Sequence, residues 1–152
     1  MIVSLRIATY DDLELMLKWR NTKDVSQGFY SQRNGKSITW TEHVVWWESR
    51  NQDWRTFIIE YEGNPVGVVT AGQLEHWSPE IGWYIGEVNL WGKGIGKEAV
   101  RLGLEYIKSE GKEYAHTTIL DNNERSIRLA KSLGFKRFGK ARPGESWYQV
   151  KL

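Results

Sequence analysis

The sequence predicts an α+β fold in which a mixed central β-sheet is flanked by helices, with elements in the order β-α-α-β-β-β-α-β-α-β-β. First, short apolar segments of strand length alternate along the chain with longer segments of helical periodicity. Second, a glycine-rich turn joins the extended segment Ile81–Ile85 directly to a helical segment that begins at Ile95. Third, a turn around Pro143 and Gly144 closes the chain as a hairpin.

The first part of the chain is predicted to contain one strand followed by two helices. Ser4–Ala8 forms the strand. The helices cover about Thr9–Arg20 and Thr39–Arg50, and each begins with a capping box, Thr-x-x-Asp in the first and Thr-x-x-Glu in the second. The segment between them, residues 21–35, is polar and irregular.

Three strands and a long helix are predicted next. Trp54–Tyr61 and Val66–Leu74 are strands joined by a turn of the composition Glu-Gly-Asn-Pro. The strand Glu80–Ile85 leads into the glycine-rich turn. The helix Ile95–Glu110 carries apolar residues at helical spacing, so one of its faces is expected to be buried.

The last part of the chain is predicted to add three strands and one helix. Tyr114–Ile119 is a strand, and a helix follows from about Glu124 to Leu133. Gly134 suits the left-handed position that ends such a helix. Phe135–Lys140 and Trp147–Leu152 form the closing hairpin.

Composition indicates an ordinary globular protein. The 152 residues suit one domain over residues 1–152, with 40% apolar and 26% charged residues. There is no cysteine, so neither disulfides nor a thiolate metal site is expected, and no other metal site is predicted. The net charge of +2 is too small to indicate nucleic-acid binding. Without a signal peptide or a stretch of roughly 18 apolar residues, a cytoplasmic location away from membranes is expected.

The glycine-rich turn is the strongest functional signal. It reads Trp91, Gly92, Lys93, Gly94, Ile95, Gly96, Lys97 and enters a helix. Unpaired backbone N–H groups and the helix dipole make such a turn a cradle for anions, and glycine lets the backbone approach a pyrophosphate closely. A turn that uses glycine only for tight packing is the alternative.

Two common phosphate-binding motifs do not match. A P-loop needs Ser or Thr after Gly-Lys, but Gly96-Lys97 is followed by Glu98. A dinucleotide fingerprint needs G-x-G-x-x-G, but the glycines here stand at every second position and Lys97 follows the last of them. ATPase and dehydrogenase functions are therefore disfavoured.

The turn resembles the acyl-coenzyme A pyrophosphate loop of the GCN5-related N-acetyltransferase (GNAT) superfamily. A second segment, Asn123–Phe135, is similar to the family's other marker, Asn-x-x-(Ser/Ala)-x-x-Leu with a Leu-Gly-Phe ending. The resemblance covers the chain from about Trp54 onward. More weakly, Trp19-Arg20-Asn21 and His43-x-x-Trp46 resemble the branch that acetylates nucleotide-linked amino sugars, whose near relatives acetylate ribosomal proteins and aminoglycosides.

The resemblance implies acetyl-CoA as co-substrate and a primary amine as acceptor. In the family the pantetheine arm pairs with the strand before the loop, here Tyr84, Ile85 and Gly86, and a backbone N–H near Tyr84 or Ile85 polarises the thioester. Asn123 matches an asparagine that contacts the cofactor arm, although it suits a helix N-cap equally well.

The chain departs from the family at two positions. Trp91 stands where Arg or Gln is frequent, although Trp is usual in the ribosomal-protein-like branch. Ala130 replaces the frequent general-acid tyrosine, so the thiolate leaves unassisted or is protonated through water, or else Ser132 or Tyr148 takes this role. The departure also leaves open a non-catalytic acyl-CoA-binding module.

Two residues are candidates for the general base. Glu80 is the first choice, because it lies on the strand that feeds the loop, between Trp77 and Trp83, where an apolar setting would raise a carboxyl pKa. His43 is the second, because histidine titrates near neutrality and the second helix shapes the acceptor cleft in this family. His76 and Glu75 are weaker candidates.

The expected acceptor is a small-molecule amine, first of all a nucleotide-linked amino sugar. Aromatic side chains are candidates for stacking on a sugar or base, and three arginines for holding a phosphate. They are Phe29, Tyr30, Trp40, Trp46 and Trp77, and Arg20, Arg33 and Arg50. A protein N-terminus and an aminoglycoside remain alternatives, and a homodimer is a further expectation. A polyamine is disfavoured because residues 1–50 contain no acidic cluster.

Overall fold

The protein folds around one seven-stranded mixed sheet. A computed structural model describes residues 1–152. The strands are β1 Val3–Ile7, β2 Arg55–Tyr61, β3 Asn64–Gly72, β4 Glu80–Ile85, β5 Tyr114–Leu120, β6 Lys136–Arg142 and β7 Glu145–Lys151. The helices are α1 Leu13–Arg20, α2 Lys23–Ser26, α3 Trp40–Glu48, α4 Ile95–Ser109 and α5 Glu124–Ser132. The order in the sheet is β1-β2-β3-β4-β5-β7-β6, and only β4 and β5 run parallel.

The predicted α+β class and element order are confirmed. Every predicted strand and long helix is present, with ends displaced by one to three residues at most positions. The residues around 21–35 are less irregular than expected, because the one-turn helix α2 and a 3-10 turn at Tyr30–Gln32 lie there. The Thr39 capping box forms as predicted, since the Thr39 hydroxyl accepts from the Glu42 backbone N–H at 3.1 Å.

Two hydrophobic cores cover opposite faces of the sheet. The larger core packs the buried side of α4, including Ile95 and Ile107, against residues such as Val69 and Ile81. The smaller core packs α1, through Met16 and Trp19, against the other face of β2 and β3. Because period-two alternation sends neighbouring strand residues to opposite faces, both cores draw on the same central strands. None of the helices combines the length with the apolar composition that a membrane-spanning segment needs.

The sheet opens between its two parallel strands. β4 and β5 are joined through one residue pair, Glu80 with His116, where the His116 N–H donates to the Pro79 carbonyl at 2.9 Å. Beyond this pair the ladder stops, whereas β3 and β4 stay paired from Gly72–Glu80 to Gly67–Ile85. The edge of β4 that faces β5 is therefore available to a ligand.

Candidate functional site

A large cleft occupies the opening between β4 and β5. Its volume is about 930 Å³, and it runs from the start of α4 on one face of the sheet to the segment around Tyr30 on the other. The walls come from the β4 residues Glu80–Ile85, from Thr117 to Ile119 of β5, and from the start of α5. We call this space the cofactor cleft.

The backbone of β4 presents alternate residues to the cofactor cleft. The Gly86 N–H donates to the Val66 carbonyl at 2.7 Å, so the backbone of Gly86 bonds to the β3 side. Because every second residue of an antiparallel strand bonds to the same neighbour, the backbone groups of Tyr84 and Gly82 also bond to β3. The backbone groups of Trp83 and Ile85 then point towards β5. The Ile85 carbonyl accepts the Trp91 indole N–H at 2.9 Å. The Ile85 N–H and both backbone groups of Trp83 therefore line the cleft as an unpaired strand edge.

The glycine-rich turn places three backbone donors at the start of α4. The first intrahelical hydrogen bond runs from the Glu98 N–H to the Gly94 carbonyl at 3.2 Å. The N–H groups of Ile95, Gly96 and Lys97 precede it and have no helical partner. Gly94 is the N-cap, and with a φ of 83° it adopts a left-handed conformation that disfavours any side chain. This geometry fits a pyrophosphate.

Close packing around Gly96 explains why a glycine stands at this second position of the turn. A Cβ there would lie 3.2 Å from the Leu129 side chain and 3.6 Å from that of Ile85, so α4, α5 and β4 approach closely at this point. Gly92 also has a positive φ, 81°, but a side chain there would meet no atom within 4 Å. Gly92 therefore serves the path of the turn, whereas Gly96 serves close packing beside the cleft.

Positive charge surrounds the mouth of the cleft near α4. Lys97, Arg125 and Arg128 all line it. The Arg125 guanidinium lies 3.4 Å from the centroid of the Trp91 ring, a cation–π contact. Trp91 therefore holds Arg125 with its ring face while its N–H bonds to β4. Lys93, which the sequence also nominated, is exposed and does not line the cleft.

Asn123 caps α5 and faces the cleft. Its side-chain oxygen accepts the Ser126 backbone N–H at 3.3 Å, as expected for an N-cap. Its amide nitrogen makes no hydrogen bond within the protein and lies close to Gly28, where an added Cβ would be 3.2 Å away. The N-cap role therefore leaves an amide donor free at the cleft wall.

Glu80 lies at the inner end of the cofactor cleft. Its carboxylate is 3.9 Å from His116 Nε2. His116 Nδ1 lies 2.6 Å from the Ser78 carbonyl, so Nδ1–H donates to it. Burial lowers the pKa of His116, which favours the neutral ring and leaves an unprotonated Nε2 facing Glu80. Burial, with the negative charge of Glu145 as the next cause, raises the pKa of the Glu80 carboxyl, although Arg50 and Arg142 oppose the rise. A carboxylate in this setting is a stronger base than one in water.

A second, smaller cavity begins on the far side of Glu80. This inner cavity has a volume of about 200 Å³ and lies between the sheet and helices α1 and α3. Glu80, Tyr84 and Phe29 line both spaces. Burial raises the pKa of the Tyr84 hydroxyl, so it stays protonated. The inner cavity has the position of an acceptor site beside the candidate base.

His43 lines the inner cavity and not the cofactor cleft. It is 5% exposed and stacks on Trp46, with ring centroids 5.5 Å apart. Its Nε2 lies 2.9 Å from the Leu13 carbonyl, so this nitrogen carries the proton and donates it. Burial lowers the pKa of His43, which keeps it neutral. The structure thus brings Glu80, but not His43, to the cofactor cleft.

The proposed substitutes for the missing tyrosine lie away from both spaces. Ala130 is fully buried in the larger core, and Tyr148 is buried beside it. The Ser132 hydroxyl donates to the Leu129 carbonyl at 2.7 Å on an exposed surface. His76 and Glu75 also lie outside the cavities.

The aromatic candidates fall into two groups. Phe29 and Tyr30 line the cofactor cleft, and Trp46 lines the inner cavity. Trp40 and Trp77 are 45% and 63% exposed and belong to neither wall. The sequence could not separate these groups, because tryptophans occur at apolar and polar positions alike.

Sequence reasoning missed the contribution of the closing hairpin. Arg142 and the buried Glu145 line the cleft and form an ion pair of 2.8 Å. The Arg142 guanidinium lies 3.7 Å from the Tyr30 ring centroid, and that of Arg33 lies 3.5 Å from it. Charged residues flanking Pro-Gly are typical of a solvated turn, so the sequence carried no signal that these two line a cleft.

A split mixed sheet, an unpaired strand edge and a glycine-rich helix start together define an acetyltransferase of the GNAT fold. The family model described as an acetyltransferase (GNAT) domain matches residues 3–136. The chain therefore belongs to the GNAT acetyltransferase family.

Two of the similar proteins come from Methanocaldococcus jannaschii. The chain is 43% identical over 155 residues to an uncharacterised protein of that organism, in an alignment that covers 99% of the chain and 31% of the relative. It therefore spans about a third of the length of this curated relative. The crystal structure of a domain from the same organism is 41% identical, with a TM-score of 0.93 and 99% coverage of both chains.

More distant solved structures share the fold. An aminoglycoside acetyltransferase in complex with coenzyme A and kanamycin has a TM-score of 0.84 at 19% identity, over 99% of this chain and 95% of its own. Spermidine N-acetyltransferase from Vibrio cholerae, in complex with CoA and spermine, has a TM-score of 0.81 at 16% identity, over 99% and 94%. Identities this low support the fold alone.

Proposed function

We propose that the chain transfers an acetyl group from acetyl-CoA to the amine of a nucleotide-linked amino sugar. One observation supports the acetyl transfer itself. The unpaired edge of β4, the backbone N–H donors of the turn at Gly94 and the carboxylate of Glu80 all line the same cleft. Most of the rate acceleration then comes from holding amine and thioester together.

Each step has a residue that supports it. Acetyl-CoA supplies the thioester, whose C–S bond breaks as the amine nitrogen forms a bond to the acyl carbon. Glu80 accepts the proton that the ammonium loses before attack, directly or through water, and the second proton, which the nitrogen loses as the amide forms, passes to water or to the departing thiolate. The Ile85 N–H donates to the carbonyl oxygen on which negative charge develops. The Asn123 amide nitrogen donates to the cofactor arm.

None of the candidates that the sequence offered can protonate the leaving thiolate. Ala130 has no hydroxyl, and neither Ser132 nor Tyr148 lines the cleft. A coenzyme A thiol is far more acidic than an alcohol, and the cationic mouth of the cleft favours an anion. We therefore infer that the thiolate leaves unassisted or is protonated through water, and that Ser132 and Tyr148 have no part in this step.

The proposed acceptor is chosen from the residues that line the cofactor cleft and the inner cavity near Glu80. Arg33 and Arg142 already cover the ring of Tyr30, so Phe29, with Arg20 on one face, is the aromatic candidate for contact with a sugar or base. Arg20 and Arg50 line the inner cavity, which favours an acceptor with negative charge over polycations such as aminoglycosides.

An assay of coenzyme A release over an amine panel tests the proposal. The panel contains UDP- and dTDP-linked amino sugars, peptides with free N-termini, and aminoglycosides. Turnover is expected with a nucleotide-linked amino sugar. Turnover confined to peptides or aminoglycosides would refute the acceptor and keep the transferase. Tight coenzyme A binding without turnover of any amine would favour a non-catalytic acyl-CoA-binding module.

A further inference from the structure

The inner cavity holds more positive than negative charge. Arg20 of α1 and Arg50, two residues after α3, both line it, and Glu80 is its one carboxylate. Neither arginine has a carboxylate within 4 Å. His43, the remaining titratable base on the wall, is neutral and donates to a backbone carbonyl. Both arginines are half-buried, and an excess of positive charge that is partly removed from water is costly unless an anion binds there.

Arg50 has the clearest unmet hydrogen-bonding demand. Its guanidinium lies 4.7 Å from the ring centroid of Trp54 and 5.3 Å from that of Trp46, so aromatic faces and not acceptors surround it. Its Nε is buried and has no hydrogen-bond partner. Burial lowers the pKa of Arg50, and only the charge of Glu80 opposes this. A buried, unpaired guanidinium N–H is rare in proteins and calls for an acceptor atom.

Arg20 is fixed in place but only partly satisfied. Its Nε donates to the Gln32 side-chain oxygen at 3.0 Å, and its guanidinium lies 3.6 Å from the Phe29 ring centroid. Gln32 is in turn held by its own amide, which donates to the Arg20 carbonyl at 3.0 Å. The guanidinium is therefore oriented in advance, with its two terminal nitrogens left for another acceptor. Planar, pre-oriented guanidinium groups suit phosphate oxygens.

We propose that the inner cavity binds a phosphoryl group of the acceptor between Arg50 and Arg20. This inference rests on the proposed function, because it places the acceptor's amine at Glu80 and its phosphate in the same cavity of about 200 Å³. The acceptor class is then a sugar phosphate or sugar diphosphate that carries a free amine. A polycationic amine would meet two arginines and a single carboxylate, Glu80, so it is selected against.

Binding of inorganic pyrophosphate to the coenzyme A-saturated protein tests this site. Saturation with coenzyme A fills the glycine-rich turn, so pyrophosphate measured by calorimetry then reports another site. We expect pyrophosphate to bind, and Arg50→Met and Arg20→Met each to weaken it at least tenfold. Arg55→Met is the matched control, because Arg55 donates to the Gln52 and Trp54 carbonyls and lines neither space. Unchanged coenzyme A affinity shows that each variant is folded.

The outcomes separate this inference from the proposed function. If pyrophosphate fails to bind, or binds Arg50→Met and Arg50→Lys as tightly as the wild type, the phosphoryl site is wrong. If it binds as expected but only peptides are acetylated, the site stands and the proposed acceptor fails. If a nucleotide-linked amino sugar is acetylated and Arg50→Met does not raise its KM at least tenfold, the acceptor stands and the phosphoryl site fails.

Discussion

Glu80 combines the position of a base with a local environment that strengthens it. Its carboxylate lies where the cofactor cleft meets the inner cavity, and burial raises its pKa. A general base contributes roughly 10²- to 10⁴-fold to rate. We therefore predict that Glu80→Gln lowers kcat by about 10²-fold or more while leaving coenzyme A affinity unchanged. Glu14→Gln, at an exposed position on α1, is the control.

The pH dependence of the same variant gives a second prediction at the residue scale. A general base must be ionised to accept a proton, so with Glu80 in this proposed role kcat/KM should rise with pH through a pKa above the ordinary value of about 4.3 for glutamate. Glu80→Gln should abolish this acid limb. A limb that survives in Glu80→Gln but disappears in His43→Asn would identify His43 as the base instead.

Stability should change in the opposite direction to activity at this position. The folded-state pKa of Glu80 is raised, so between about pH 4.3 and that raised value the folded state binds more protons than the unfolded state. The free energy of unfolding therefore falls as pH rises through this window, and the penalty persists above it. We predict that Glu80→Gln is more stable than the wild type at neutral pH, measured by urea denaturation at several pH values. Equal stability at all pH values would contradict the assigned pKa.

At the scale of elements, local signals predicted nearly the whole fold. Capping boxes marked the helix start at Thr39, and the glycine turn marked the end of β4 and the start of α4 within a residue. These features are local because caps and turns are set by neighbouring residues. The pairing of β4 with β5, and its end after one residue pair, could not be predicted, because it depends on residues that are distant in sequence.

The candidate site was also predictable only in part, because local sequence patterns identify neighbouring residues but not residues that come together from distant parts of the chain. Residues of the contiguous motif, such as Gly94 and Lys97, line the cofactor cleft, as does Glu80. Arg142 and Glu145 come from the far end of the chain, and no local pattern connects them to the motif. The sequence also could not show which backbone groups of β4 face the opening. That depends on the pairing register with β3, which directs the backbone N–H of Ile85 into the cleft and the backbone N–H of Tyr84 towards β3.

The glycine-rich turn gives an element-scale prediction with an internal control. Gly94 and Gly111 stand at opposite ends of α4 with nearly the same φ, 83° and 82°, and neither would place a Cβ within 4 Å of other atoms. Valine at either position should cost about 1–2 kcal/mol of stability from backbone strain. Only Gly94→Val should also weaken coenzyme A binding, by ~2 kcal/mol or about 30-fold, because it blocks charge-assisted hydrogen bonds to the pyrophosphate. Calorimetry measures this, and equal affinities for both variants would show that the turn does not bind the cofactor.

At the scale of the whole molecule, the sheet consists of two halves that barely touch along their strands. β1–β4 and β5–β7 share one residue pair, and α4 packs on both sides of the opening. A ligand that pairs with the edge of β4 would brace this opening.

The expected homodimer is a separate whole-molecule prediction, which light scattering in solution measures directly.

Hydrogen exchange can detect the bracing residue by residue. Without ligand, the amides of Gly82 and Tyr84 are bonded to β3, whereas those of Trp83 and Ile85 face the opening. We predict that coenzyme A slows exchange at Ile85, and at Trp83 if the pantetheine arm extends that far, with little change at Gly82 and Tyr84.

The global free energy of unfolding should rise by about 2.7 kcal/mol at a coenzyme A concentration of 100 times Kd. For a domain of this size that corresponds to an increase in Tm of roughly 5–10 °C. Gly94→Val should lose most of this increase at the same concentration, whereas Gly111→Val should keep it. An increase in Tm without alternating protection along β4 would mean that coenzyme A binds elsewhere than in the opening of the sheet.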